Sequence, residues 1–557
     1  MIRRPLTAAF TLAGCLALSA LRAWAADTTA QAAGAKVELP PMLVEESVSR
    51  VPWLYARAGG IEFLSRCSAS TTRTLAEAWL AKLQLVRTFV PDDFLARVDT
   101  PAVFVLYAQD LEHTVSAEIQ RELRRDAARP GGVDIAPSMR LSDRDMTASI
   151  AYIDEALFDA ATLGVSPSHV RFLLDGRVPE LPGWFAEGIE RTYRRADFIA
   201  DPITVNPLVW LNSAESDALS ADPARPRALL PANELFAPES ARAVEQRHPR
   251  RLAVRTATTE LFVRWAYVSG EPTRTALWRF AALAAAGPVT EEQFEAAFGF
   301  GYADLRDRLS DYLPVAVAET KWFAPGKPSP SPEIEVERAT PNQIARVRGE
   351  WERLAIAHVQ RRFPQAREPY LAQARRTLRR AFDAGDRDPR LLASLGLLEV
   401  DAGNDPAALP FLEPAVAAGV VRPRAYHELA RIRWDALRRD APDTALFSFT
   451  ALAPVLGPLR RALTQAPPLP ETYVLLGEAW ARCETAPNTE ELGELLAGSR
   501  HFWRRPEVAY PLALALARHD RKGDATAILD ACAGHAEDPP TRDGIARLRR
   551  ELAAALP

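Results

Sequence analysis

The sequence predicts an α+β protein, with a mainly helical first half that carries a small sheet and an all-α second half. Three observations lead there. Ala102-Val103-Phe104-Val105-Leu106-Tyr107 is an unbroken apolar run of strand length and reads as a buried strand. Thr256 to Tyr267 places Leu261, Phe262 and Trp265 on one side of a helix. In the second half, sets of three residues return at a fixed offset of 34: Leu392, Leu395 and Gly396 recur as Tyr426, Leu429 and Ala430, and Ala374, Leu378 and Ala381 recur as Ala408, Leu412 and Ala415.

In chain order, residues 1–25 read as a signal peptide. Arg3-Arg4 is the positive start, Pro5 to Ala20 is apolar but short for a membrane span, and Ala23-Trp24-Ala25 ends in an A-x-A cleavage pattern. The mature chain then begins near Ala26 and is exported, periplasmic or secreted. Leu12-Ala13-Gly14-Cys15 also matches a lipobox, which gives the alternative of a lipoprotein anchored at Cys15. The apolar run continues past Cys15, which favours simple secretion. Arg22 shortens the span and argues against an uncleaved anchor. Residues 26–49 form a linker. Cleavage near Ala26 leaves Cys67, Cys483 and Cys532, too few for a disulfide framework. Cys483 and Cys532 either pair in an oxidising compartment or remain buried thiols.

The most informative stretch is Leu181-Pro182-Gly183-Trp184-Phe185-Ala186-Glu187-Gly188-Ile189-Glu190. It resembles the helix that supplies the third zinc ligand in gluzincin, thermolysin-like peptidases. Such a zinc takes three protein ligands and a water. Two of the ligands come from an H-E-x-x-H helix, whose Glu acts as general base. Aligning His169 with the second His of that motif puts Val165 at the first His and Ser166 at the general base. Valine does not ligate zinc, and serine does not take up the proton a carboxylate takes. His169 and Glu187 match, so the resemblance implies a vestigial metal pair with no catalytic residues.

Other segments follow the family order. Val51-Pro52-Trp53 through Leu64-Ser65, with Thr72-Arg73, resembles its opening strand and first helix. Leu229 to Phe236 resembles the segment after the third ligand. Phe294 to Gly299, Tyr302 and Leu309 to Leu313 resemble the closing helices. The gluzincin-like domain therefore spans 50–318.

Each of these residues also has an ordinary reading. A lone His is more often a satisfied core group than a ligand, and a carboxylate such as Glu187 stabilises a helix N-terminus. Trp184 and Phe185 read as core packing and Glu190 as a solvated helix residue. His113, beside Glu112, is a weaker stand-in ligand. The chain carries no nucleophile elbow, phosphate loop or C-x-x-C. A net charge of -4 gives no electrostatic case for nucleic acid.

Residues 319–340 are proline-rich, with Pro325, Pro328, Pro330 and Pro332, and read as an extended spacer between domains with limited contact. Residues 341–557 follow the tetratricopeptide period. Small residues there let paired helices approach and large ones fill the groove. Tyr473, Leu476 and Gly477 begin a further helix, and Tyr510, Ala513 and Leu514 begin one that pairs with a helix from Asp524 to Ala533. The expected whole is a peptidase-like domain followed by a tetratricopeptide-like solenoid. Such a solenoid offers a face to a protein or peptide partner. No cofactor is expected, and zinc only if the site still works. Membrane contact is expected only if Cys15 is lipidated. The alternative is an active zinc metallopeptidase with altered ligands. The missing base weighs against it, because water activation needs both metal and base.

Overall fold

A computed structural model describes residues 51–108, 138–198, 203–210, 229–237, 249–323, 333–442, 444–536 and 538–554. The leader with Cys15, the 26–49 linker and the Glu112–His113 pair lie outside the described residues.

Strands β1 (Leu54–Ala58) and β2 (Ile61–Ser65) form a hairpin whose turn is Gly59-Gly60. Both glycines have positive φ, 56° and 75°, which side chains disfavour. Strand β3 (Ala102–Ala108) runs parallel to β2. A second hairpin, β4 (Ser138–Ser142) with β5 (Thr147–Ile153), joins through β5, which is parallel to β3. A small separate sheet is built from β6 (Ala196–Asp197), β7 (Ile203–Val205) and β8 (Lys321–Phe323). Strand β9 (Val336–Arg338) returns to pair with β1. The larger sheet thus reads β4-β5-β3-β2-β1-β9. The predicted strand at 102–107 is there. It and β5 are buried along almost their whole length, as strands covered on both faces must be.

One face is covered by the helices of the first half. These are α1 (Ala69–Phe89), α2 (Pro167–Asp175), α3 (Gly183–Arg194), α4 (Ala232–Leu235), α5 (Pro249–Val268), α6 (Glu271–Ala286), α7 (Glu291–Phe298) and α8 (Tyr302–Ala318). Helix α5 contains the predicted 256–267 segment, and Leu261, Phe262 and Trp265 are all buried in the same core. Helices α3 and α5 touch at Gly188, where a Cβ would stand 2.3 Å from Val263 Cγ2.

The second half is helical throughout. Its helices are α9 (Pro341–Arg362), α10 (Arg367–Asp383), α11 (Pro389–Asp401), α12 (Asp405–Ala417), α13 (Pro423–Arg438), α14 (Phe449–Leu463), α15 (Pro470–Ala481), α16 (Thr489–His501), α17 (Pro506–Arg518), α18 (Lys522–Cys532) and α19 (Pro539–Ala554). The molecule is mostly helical with a small mixed sheet, as an α+β class requires. Among the described residues no helix is long and apolar enough to cross a membrane. Cys67, Cys483 and Cys532 are buried and none is disulfide-bonded, so Cys483 and Cys532 are not bridged.

Pro325, Pro328, Pro330 and Pro332 of the expected spacer lie outside the described residues; the described ends of 319–340 carry sheet strands, β8 and β9. Helix α9 lays Val347, Trp351, Leu354 and Ala355 on the sheet face formed by Trp53, Leu64, Val103 and Val105. The expected limited contact between the halves is therefore corrected. A sheet with a second apolar face must bury it, and α9 is the cover. Further along, Trp503 Nε1 donates to the Ala285 carbonyl at 2.8 Å and Arg505 pairs with Glu180 at 2.6 Å.

The contact between the halves is also ionic. The tip of the β4–β5 hairpin carries Asp143 and Asp145. Arg353 of α9 donates to Asp143 (2.7 Å), Asp401 (2.6 Å) and Glu350 (3.0 Å). Arg424 of α13 donates to Asp143 at 2.7 Å and also to Asp401, and its backbone N–H donates to Asp145 at 2.9 Å. On β2, buried Glu62 accepts from Arg346 (2.7 Å), Arg390 (3.2 Å) and Tyr55 (2.5 Å).

Burial pushes the carboxyls of Asp143, Glu350 and Glu62 up. The guanidiniums of Arg353 and Arg424 around Asp143, of Arg353 and Arg422 around Glu350, and of Arg346 at Glu62 outweigh it and hold all three below the usual range. Burial raises Asp145; Arg422 opposes this, and the charge of Asp143 adds to it. A depressed carboxyl contributes stability that is whole above its unfolded value, near 4, and is lost as pH falls toward its folded value. Asp145 acts in the opposite sense, gaining its proton in the folded state at higher pH. Three groups oppose one, so the urea midpoint is expected to hold above about pH 5 and to fall below about pH 4. A midpoint that rises on acidification would show that Asp145 dominates.

Candidate functional site

The residues singled out in the sequence sit on α2 and α3, which pack against each other. Helix α2 starts at Pro167, a residue suited to the first helical position, with Ser166 as an extended N-cap. Val165 therefore precedes the helix. This departs from the expected register, in which 165 and 169 share a helical face one turn apart. The proline starts the helix too late for that. Val165 is buried, and its carbonyl accepts a 2.9 Å bond from Tyr193 of α3. Ser166 Oγ lies 2.9 Å from Ser168 Oγ in an exposed setting.

His169 is buried on the inner side of α2. Its neighbour is set by strand alternation in β4. Met139 and Leu141 face the α9 side, so Arg140 points the other way. There Arg140 Nη1 donates to His169 Nδ1. The guanidinium also lies over the Trp79 ring, 5.1 Å from its centroid, and Trp79 meets the imidazole edge-on at 6.2 Å. Burial, reinforced by the charge of Arg140, holds His169 well below its ordinary value, so the ring is neutral. An Nδ1 that accepts leaves its hydrogen on Nε2. Burial pushes Arg140 down to about 9. No described carboxylate is paired with it.

Glu187 is fixed by other groups. Its Oε1 accepts from Thr256 Oγ1 of α5 at 2.9 Å and from Arg191 Nε at 3.2 Å. Glu190 pairs with Arg194 at 2.7 Å and lies 3.8 Å from Arg171 of α2. Trp184 and Phe185 are core residues, packed on Phe236, Phe262 and Trp278.

These residues do not fit a zinc site. A zinc ligand imidazole must offer a free ring nitrogen. Here the acceptor nitrogen holds a guanidinium, a fixed cation that repels a second one. Glu187 is engaged by two donors, and Val165 supplies no ligand. Among the described residues no cluster of three or more His, Cys, Asp or Glu side chains is arranged to hold a metal. Arg140 is the functional neighbour that the motif alone does not reveal. Its signal is an arginine between two apolar residues in Ser138-Met139-Arg140-Leu141-Ser142, a charge on an inward strand face.

No family model matches the sequence, and no curated protein or solved structure is significantly similar to it.

Proposed function

We propose that this is an exported, non-catalytic scaffold, with a peptidase-like domain that has lost its metal chemistry and a repeat domain that binds a protein or peptide. The observation that carries the reading is the bond from Arg140 to His169 Nδ1. It places a permanent positive charge where the chemistry of the resembled family needs a lone pair. The thermolysin-like ancestry rests on the 181–190 stretch and on the order of elements around it.

The repeat reading has physical support of its own. Leu378 and Leu412, which are 34 residues apart, face Gly349 and Gly396 on the preceding helices, where a Cβ would come within about 2.4 and 2.6 Å of them. Large residues thus fill space opened by small ones in two consecutive helix pairs, with the leucines but not the glycines in the 34-residue register. A tetratricopeptide-like stack predicts that pattern, and such stacks present a surface for partners.

The test is the metal content of the purified mature protein after dialysis, beside a His169→Ala variant. The expected result is a folded protein without stoichiometric zinc in either form. Stoichiometric zinc that disappears in the variant would overturn the scaffold reading in favour of a working zinc hydrolase.

A further inference from the structure

Where the β4 edge meets α9, α11 and α13 there is a cavity of about 390 Å³. Its wall includes the guanidinium-bearing residues Arg140, Arg353, Arg361 and Arg424 against the carboxylates of Asp143 and Asp401. The buried pairs are internally satisfied, because Arg353 and Arg424 both bridge Asp143 to Asp401. One cation is left over. Arg361, on the exposed end of α9, has no ion-pair partner among the described residues. Arg140 borders the cavity through its strand, but its guanidinium lies on the other face of the sheet at His169. A half-enclosed space with an unbalanced guanidinium at its rim focuses positive potential. Planar guanidinium forks match carboxylate and phosphate oxygens. Junctions between structural units are also where small-molecule cavities concentrate.

We propose that this cavity binds a small molecule bearing a carboxylate or phosphate group. The occupant sits between the β4–β5 hairpin and the helical half. Its anion faces Arg361, and its apolar part lies against Leu141 and Leu354. The site is separate from the metal question and stands whether or not His169 binds zinc.

The experiment is isothermal titration of the mature full-length protein with inorganic phosphate and, separately, with citrate. Chloride is used to match ionic strength. Two variants accompany the wild type. Arg361→Gln removes the rim charge, and Ala357→Trp fills the cavity from an exposed helix position. The expected result is saturable binding of at least one probe, weakened tenfold or more by R361Q and abolished by A357W. Binding of phosphate alone assigns a phosphate ligand, and binding of citrate alone a carboxylate ligand. No saturable heat beyond the chloride control would overturn the proposal. So would affinity unchanged in both folded variants, since the anion would then bind elsewhere.

Discussion

Replacing Arg353 with methionine is expected to destabilise the protein by about 3–5 kcal/mol, as seen when one partner of a buried ionic cluster is removed. The Arg353 side chain has no solvent exposure and donates to three carboxylates, those of Asp143, Glu350 and Asp401. Methionine preserves the aliphatic bulk and removes all of the charge. Arg424 then remains on Asp143 and Asp401, while Glu350 keeps Ser394 at 2.5 Å and Arg422 at 3.6 Å. Those contacts do not offset two buried negative charges and a partly exposed one brought together. The measurement is urea unfolding by circular dichroism, with a lower midpoint expected at unchanged slope. Adding Asp143→Asn to R353M should recover part of the loss, because it deletes the carboxylate most dependent on the missing cation. A cost under about 1 kcal/mol for R353M would show that the cluster is no better than an exposed salt bridge.

That cluster explains why some of the architecture was legible in the sequence and some was not. Strand β3 and helix α5 carry their periodicity in a dozen consecutive residues or fewer, so local reading recovers them. The residues 34 apart in the second half all fall on helices, which is what local spacing can show. Asp143 and Arg353 are 210 positions apart, and no local pattern joins them. The same is true of β9, which lies just beyond a proline-rich run. Proline density shows only that a segment is not helix interior, whereas pairing with β1 decides that Val336–Arg338 is a strand. At the candidate site the motif residues His169 and Glu187 fall on α2 and α3, but the expected register of α2 fails and the electrostatics stay hidden. The match of His169 and Glu187 to a metal pair says nothing of Arg140, which reaches the imidazole from another strand. Pro167 was visible throughout. A helix that begins there cannot contain Val165, and this alone breaks the two-histidine geometry.

Phe262→Ala is the other large effect, an expected loss of about 3–5 kcal/mol. Phe262 is fully buried on α5, at the centre of an aromatic cluster. Ring centroids of Phe236, Trp184 and Phe298 lie 5.3, 5.6 and 5.9 Å away, drawn from the end of α4, from α3 and from α7 respectively. Truncation leaves a cavity whose walls belong to four different segments. Rigid rings collapse into such a void poorly, so the cavity cost adds to the transfer cost. Phe262→Leu separates the two contributions, since it keeps most of the apolar volume and loses the ring contacts, and it should cost markedly less than F262A. The site chemistry gives a second readout. Trp184 precedes Glu187 by three residues on α3, so a cluster that relaxes toward the void moves the helix that carries Glu187. Tryptophan fluorescence should therefore shift in F262A. If F262A unfolds within about 1 kcal/mol of wild type, the cluster is loosely packed and cannot be what fixes α3 against α5.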